Sequence, residues 1–491
     1  MSKKIVQDYQ QGDQQGDQQN DQQDASWSKP SIHPLKAGTI NKFGSRPFTD
    51  TQSDVDGVPV QELIEKYGSP LFVISEKQQR DNARRIQRAF SSRYPRVQFG
   101  WSYKTNYLNA VCNVFHQEGL WAEVVSEFEY QKARSLGVPG HKIIFNGPHK
   151  SREILEQVID EGALLHIDHL DELFLIDEIA NEKKKSVPVA IRLNFDTGYT
   201  ENWGRFGFNI ESGQAFDAAA HISNSKYMTL VGLHSHIGTF ITDGRAYVSQ
   251  IEIMCQFMDE VESKTNCTID YIDIGGGLAS MNSLQGAYLP PEQYIPTIEE
   301  YATLICDALL KEMKARNANR EKDLLLILET GRAMIDDAEV LITSVVANKQ
   351  LPDGRRASIM DAGLNLLFTS FWYDHKIVPT RELTGVPEET VLYGPLCMNI
   401  DVVRKSIKLP PLKLGEPMVI KQVGAYNNTQ WMQFIEYRPN VVMVHEDQTV
   451  SVVREAENLQ TMNSLDRLPA HLSDPFADAP DMAPVLEAKP A

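Results

Sequence analysis

VQFGWSYKTN (Val97–Asn106), TLVGLHSHIGT (Thr229–Thr239), YIDIGGGL (Tyr271–Leu278) and LLLILETGR (Leu324–Arg332) share one pattern: an apolar run that breaks into polar and glycine residues. Each run has strand length and composition. The polar residues that follow sit where a strand ends, and in a parallel barrel that is where catalytic groups gather.

Working outward, nine short runs occupy the stretch from Pro70 to Met334: LFVI, VQFGW, AEVV, KIIF, LLHI, VAIRL, TLVGLH, YIDIG and LLLILE. Stretches such as EKQQRDNARRIQRAF and SREILEQVIDEG separate them, with apolar residues at helical spacing on a charged background. This alternation predicts an α/β fold, a (β/α)8 TIM-like barrel over residues 70–338. A doubly wound open sheet is the structural competitor, although no GxGxxG opens the first unit. Beyond Glu339 the runs VLITSVVANK, SIMDAG, EPMVIKQVGAY and NVVMVHED read as strands between turn signals. They predict a mainly-β domain over 339–465, joined by residues 31–69. A Gln/Asp/Gly tract between Gln10 and Asp24 and a Pro/Ala/Asp-rich end predict disordered tails over 1–30 and 466–491.

The formal net charge of −18 argues against nucleic-acid or anionic-membrane partners. Five widely spaced cysteines without a CxxC argue against a disulfide framework or a zinc site, and a reducing cytoplasm is the expectation. No signal peptide is read at the N-terminus, and no apolar run approaches the ~20 residues of a membrane span.

Lys104 ends a predicted strand, beside Trp101, Tyr103 and Asn106. Partial burial there would depress its pKa and make it a competent imine former; the plain alternative is a lysine that begins a loop. Gly275, Gly276 and Gly277 could let backbone N–H groups converge on an anion such as a phosphate, or form a flexible turn. His236 could stack on a flat ring, with Thr239 bonding a phosphate; a satisfied core histidine is the alternative. Glu329 follows five aliphatic residues and needs a cationic partner, either a protonated pyridine nitrogen or Arg332. Cys397 and Tyr426 are ordinary packing residues unless they have company at a site.

Taken in order, WSYKTN, HSHIGT, DIGGGL, ETGR, GPLCMNID and GAY resemble the fold-type III decarboxylases that use pyridoxal 5'-phosphate. That family includes diaminopimelate, ornithine and arginine decarboxylases, and the layout is nearest the first. The resemblance runs from about Val58 to Glu446. It implies a Schiff base on Lys104 and a ring stacked on His236. Thr239, Gly275, Gly276, Gly277, Gly331, Arg332 and Tyr426 would form the phosphate and cofactor cradle, with Glu329 at the pyridine nitrogen and Glu123 and Ser126 flanking. Arg332, Tyr373, Met398 and Asp401 would meet the amino-acid substrate. Cys397 would reach the partner subunit's site in a homodimer and help return a proton after carbon dioxide leaves.

Some positions depart from the family. Met398 stands where relatives carry Glu or Asp for a distal ammonium, and cannot accept a charged hydrogen bond. After DAGLNLLF the diaminopimelate enzymes continue Arg-Pro, the arginine gripping a distal carboxylate; here Thr369-Ser370 follows. Thr330 replaces the usual proline, and Glu123 a usual aspartate. These changes predict a decarboxylase for a modified or conjugated amino acid in place of meso-diaminopimelate or ornithine. The rival readings are a racemase on the same barrel, a catalytically inactive relative acting by protein binding, and a metal-dependent hydrolase using His234 and His236.

Overall fold

The computed structural model describes residues 50–316 and 323–475. Eight parallel strands close into a barrel: Val97–Ser102, Trp121–Val124, Ile143–Phe145, Leu164–Ile167, Val187–Asn194, Met228–His234, Tyr271–Asp273 and Leu325–Thr330. The eighth closes on the first through Leu326↔Val97 to Thr330↔Trp101. Helices such as Glu76–Ser91, Arg152–Glu161 and Arg245–Lys264 connect or flank the strands.

Side chains alternate across a strand, so every second residue points into the barrel. Outward residues such as Phe99, Val124, Ile191, Leu326 and Leu328 join the main core beneath the helices. Ile144, Ala190, Tyr271 and Ile327, with Trp121 and Leu164, fill an apolar interior layer. Two residues further along the same strands or just past their ends, the next inward positions are Glu123, Asn146, His166, Arg192, Asp273 and Glu329. All six are buried. The barrel interior thus changes from hydrocarbon to ionisable groups within one strand repeat, at the C-terminal ends.

A nine-stranded sheet forms the second domain. Its long strand spans Glu339–Gln350. The boundary at 70 does not hold, because the first apolar run, Leu71–Ser75, belongs to this sheet. That run pairs antiparallel with Glu339–Ile342 and parallel with Val441–Val444. All five of its residues are buried: Phe72 and Ile74 face the main core, Leu71 and Val73 a second one. A strand buried on both faces reads as a continuous apolar run whichever sheet it joins. Helix Val60–Tyr67 packs Val60 and Leu63 on that second core, as the expected N-terminal contribution. The tail predicted over 1–30 and residues 31–49 lie outside the described residues, as does 476–491. Residues 466–475 are exposed, with one short turn at Ala470–Leu472. No described helix is long and apolar enough to cross a membrane.

Phe72 has no exposure and stacks on Trp431 at 5.7 Å. Phe72→Ala should therefore cost about 3–5 kcal/mol, measured by denaturant unfolding.

Candidate active site

The polar layer opens upward into a cavity of about 640 Å³. Lys104 enters it from the turn Tyr103–Thr105 that ends the first barrel strand, with Nζ 2.5 Å from Glu123 Oε2. Asn146 Nδ2 donates to Glu123 Oε1 at 3.0 Å and also to Glu329 Oε1. His234 Nε2 lies 3.5 Å from Glu329 Oε2.

The expected fall in the Lys104 pKa does not occur for the free amine. Burial works against its charge, but Glu123 and Glu329 outweigh burial and hold it above the ordinary lysine range. Burial, helped by Arg192 and Lys104, lowers His236 to about 3, so its ring is neutral. Burial, with Glu329 close by, raises Asp273 far above the carboxylate range, so Asp273 keeps its proton.

Opposite this group stands Arg332, buried, with Nε and Nη1 lacking any protein hydrogen-bond partner. Its guanidinium lies 4.7 Å from the Tyr373 ring and 5.0 Å from that of Tyr426, and 3.8 Å from Asp336. Unpaired donors on a buried cation favour an incoming anion. Gly276, Gly277, Gly331 and Thr239 line the same cavity. A Cβ on Gly276 would sit 2.4 Å from the Glu329 carbonyl, and one on Gly277 2.6 Å from that of Gly238. The expected convergence of three N–H groups is only partial: Gly275 donates to Asp273 Oδ1 and Gly276 to His236 Nδ1. These glycines chiefly permit close packing.

Five assigned residues are not on the wall of this cavity: Gly275, Ser126, Asp401, Met398 and Cys397. Ser126 caps helix Glu127–Ser135: its hydroxyl accepts from Glu129 N–H at 3.3 Å while Glu129 accepts from Val125 N–H at 2.7 Å. It is absent from the cavity wall because its oxygen serves the helix end. Asp401 is buried and accepts the N–H groups of Leu364 and Leu396, so it ties two loops together in place of meeting substrate. Met398 is not among the lining residues. Cys397 is exposed on that same loop and does not reach this chain's own cavity. The sequence reading missed Asn146, His166, Arg192 and Trp203. The first three sit two residues after inward apolar positions, which was a readable signal. Trp203 stands edge-on to His236 at 5.4 Å from a loop with no periodicity.

His166, His234 and Glu329 cluster within 4.8 Å, and His236 is not among them. Both His166 nitrogens are already engaged, by Asn146 Oδ1 and the Tyr271 hydroxyl. That leaves the hydrolase reading without a free third ligand in this cluster.

Ser126→Ala should lower stability by about 1 kcal/mol while leaving cofactor affinity unchanged in a spectrophotometric titration. Stability should also depend on pH. Burial pushes Glu129 up to about 7 and Glu339 up to about 8. About one pH unit above the ordinary histidine value of 6.5, the buried histidines are neutral in folded and unfolded chains alike. The carboxyls then keep protons that the unfolded chain has released, so stability should fall as the pH rises from there through about 8. Glu339→Gln should flatten that fall in denaturant melts.

Residues 80–336 match the family model described as the pyridoxal-binding domain of pyridoxal-dependent decarboxylases. The diaminopimelate decarboxylase of Methanocaldococcus jannaschii is 30 % identical over 437 residues, covering 85 % of this chain and 95 % of that one. That of Methanothermobacter thermautotrophicus is 28 % identical over 431 residues, with 85 % and 96 % covered. The M. jannaschii enzyme's crystal structure with L-lysine superimposes at a TM-score of 0.78, with 28 % identity over 86 % of this chain and 98 % of that one. The site fits the group this family uses: an amine at the barrel mouth, a buried carboxylate for a ring nitrogen, and a buried guanidinium with free donors for an anion. By sequence, fold and site chemistry, the chain belongs to the fold-type III pyridoxal-phosphate-dependent decarboxylases.

Proposed function

We propose that this chain decarboxylates an amino acid whose far end is neutral or conjugated, in a homodimer with composite sites. The observation that carries the substrate reading is the state of Thr369, which occupies the position of the relatives' carboxylate-gripping arginine. Its hydroxyl donates to Asn427 Oδ1 at 2.9 Å and accepts from His375 Nε2 at 2.8 Å. His375 holds its proton on Nε2, because Asn282 Nδ2 faces its Nδ1 at 3.3 Å. The hydroxyl is therefore spent, and offers nothing to a distal carboxylate. The neighbouring walls are Trp203, Phe240, Leu284, Trp372 and Tyr373, all uncharged. The relatives named diaminopimelate decarboxylase support the reaction class; the departures at Thr369 and Met398 support a different side chain.

Lys104 would carry pyridoxal phosphate, whose bound ring supplies the electron sink for the pair left when carbon dioxide departs. Glu329, beside neutral Asp273, would hold a proton at the ring nitrogen. Neutral His236 offers a flat face, propped from behind by Trp203. Arg332 donates to an anionic group of cofactor or substrate, and Tyr426 and Thr239 complete the wall. Exposed Cys397 would reach the partner's cavity and return a proton to Cα there. Closing the cavity excludes water, which strengthens each of these charge contacts.

Losing a bidentate carboxylate grip costs a few kcal/mol, so meso-diaminopimelate should turn over about 100-fold or more below the best substrate. A carbon dioxide release screen of meso-diaminopimelate, ornithine, and N-acylated or amide-linked amino acids tests this, with Lys104→Ala as the inactive control. Efficient turnover of meso-diaminopimelate would overturn the substrate reading and leave the reaction class intact.

A further inference from the structure

The polar layer contains one residue that touches both carboxylates around Lys104. Asn146 Nδ2 reaches Glu123 Oε1 at 3.0 Å and is bonded to Glu329 Oε1 as well. Its Oδ1 faces His166 Nδ1 at 2.8 Å. An amide oxygen only accepts, so His166 carries its proton on Nδ1. His166 Nε2 must then accept, and the Tyr271 hydroxyl donates to it at 3.1 Å. Tyr271 belongs to the apolar layer below, and its ring packs against Gly232, where a Cβ would lie 2.2 Å away. Each donor in this line thus has one direction, running from the barrel floor to the two carboxylates.

We infer that Asn146, oriented by His166, is a positioning residue that holds Glu123 and Glu329 as a pair of anions beneath the Lys104 nitrogen. The inference rests on Lys104 being the cofactor-bearing amine. Its alternative is specific. If either glutamate held its proton toward Asn146, the amide would turn over and present its NH2 group to His166. His166 would then need a bare Nδ1, and its proton would move to Nε2. The tautomer of one buried histidine therefore reports whether either carboxyl group holds a proton on the oxygen that faces Asn146.

Burial suppresses the third possibility. His166 is pushed far below the ordinary histidine range by burial and by His234, whose ring lies 4.9 Å away. It is neutral, with one ring proton to place. The charged and titratable groups that face this pair are known. From the strands come Arg192, His234 and Asp273. Helix Glu127–Ser135 adds Glu129, and the loops and turns supply Lys104, Lys150, His236 and Tyr426. Lys104 is held as a cation and Arg192 carries a guanidinium, so two adjacent anions are electrostatically supported. Without the amide, nothing satisfies both inner oxygens at once, and one carboxylate gains by taking a proton.

Two measurements decide the matter. Long-range proton–nitrogen NMR of the full-length holoenzyme, labelled with 15N-histidine, reads the tautomer; His166→Gln assigns the signals. The expected result at pH 7 is a neutral His166 protonated on Nδ1. A proton on Nε2, or an imidazolium, overturns the inference. This measurement leaves Asn146 in place, so it stands whether or not a variant at that position folds, and it is readable even if Lys104 bears no cofactor. The second measurement is the pH midpoint of the visible absorption band of the Lys104-bound cofactor in Asn146→Leu. Weaker anions support less positive charge on the Lys104 nitrogen, so the midpoint should fall by about one pH unit. An unchanged midpoint in a folded, cofactor-loaded variant contradicts the inference, because a merely structural asparagine would alter stability and not this titration.

Discussion

A carboxylate inside a barrel is costly unless something answers its charge, and this molecule puts three carboxyl groups there. Glu123, Asp273 and Glu329 sit on or beside strand ends with almost no exposure. The structure meets the constraint by division of labour. Lys104 answers Glu123, Asp273 stays protonated, and Asn146 bridges the remaining inner oxygens. The rest of the site follows from that arrangement. The layer must sit above hydrocarbon, must be closed by helices and a second domain, and must leave its cationic side facing the cavity. Arg332, with two donors free of protein hydrogen bonds and two phenol rings within 5.0 Å, is the counterpart on the cavity wall.

Much of this was legible in the chain itself. Barrel strands read as apolar runs ending in polar residues, and Lys104, His236, Glu329 and Arg332 were found because they stand at those ends. The layer's other members were missed for a physical reason. Asn146 follows the short run KIIF and His166 lies inside LLHI, each a single polar residue on or just past an apolar strand, and inward periodicity is what marks them. LFVI misled because burial on both faces erases the alternation that would assign it to one sheet. Ser126 misled in a different way. Its hydroxyl and the carboxylate three residues later form a helix-start signature, visible in SEFE, that competes with any cofactor role. At Asp401 the tight loops around Gly363 and Gly394, each with a Cβ position under 3 Å from the carboxylate, show a structural tie that sequence alone could not display.

The cavity mouth differs in character from its floor. Below, ionisable and amide side chains dominate, several of them hydrogen-bonded to one another; above, aromatic and aliphatic surfaces dominate. Charge is thus concentrated where bonds change, and the part of the substrate that distinguishes one amino acid from another meets uncharged walls. The loop Gly394–Asp401 presents Cys397 and Met398 outward, held by the Asp401 tie. In a dimer with composite sites, that loop would add its residues to the partner's mouth. Specificity would then be shared between two chains, with chemistry supplied mainly by one.

All of this depends on which amine bears the cofactor. Borohydride reduction of the yellow holoenzyme, followed by proteolysis and mass spectrometry, locates the attachment directly. The account predicts a pyridoxyl group on the peptide containing Lys104 and on no other lysine. Modification at another position, or none in a protein that binds pyridoxal phosphate, would contradict it.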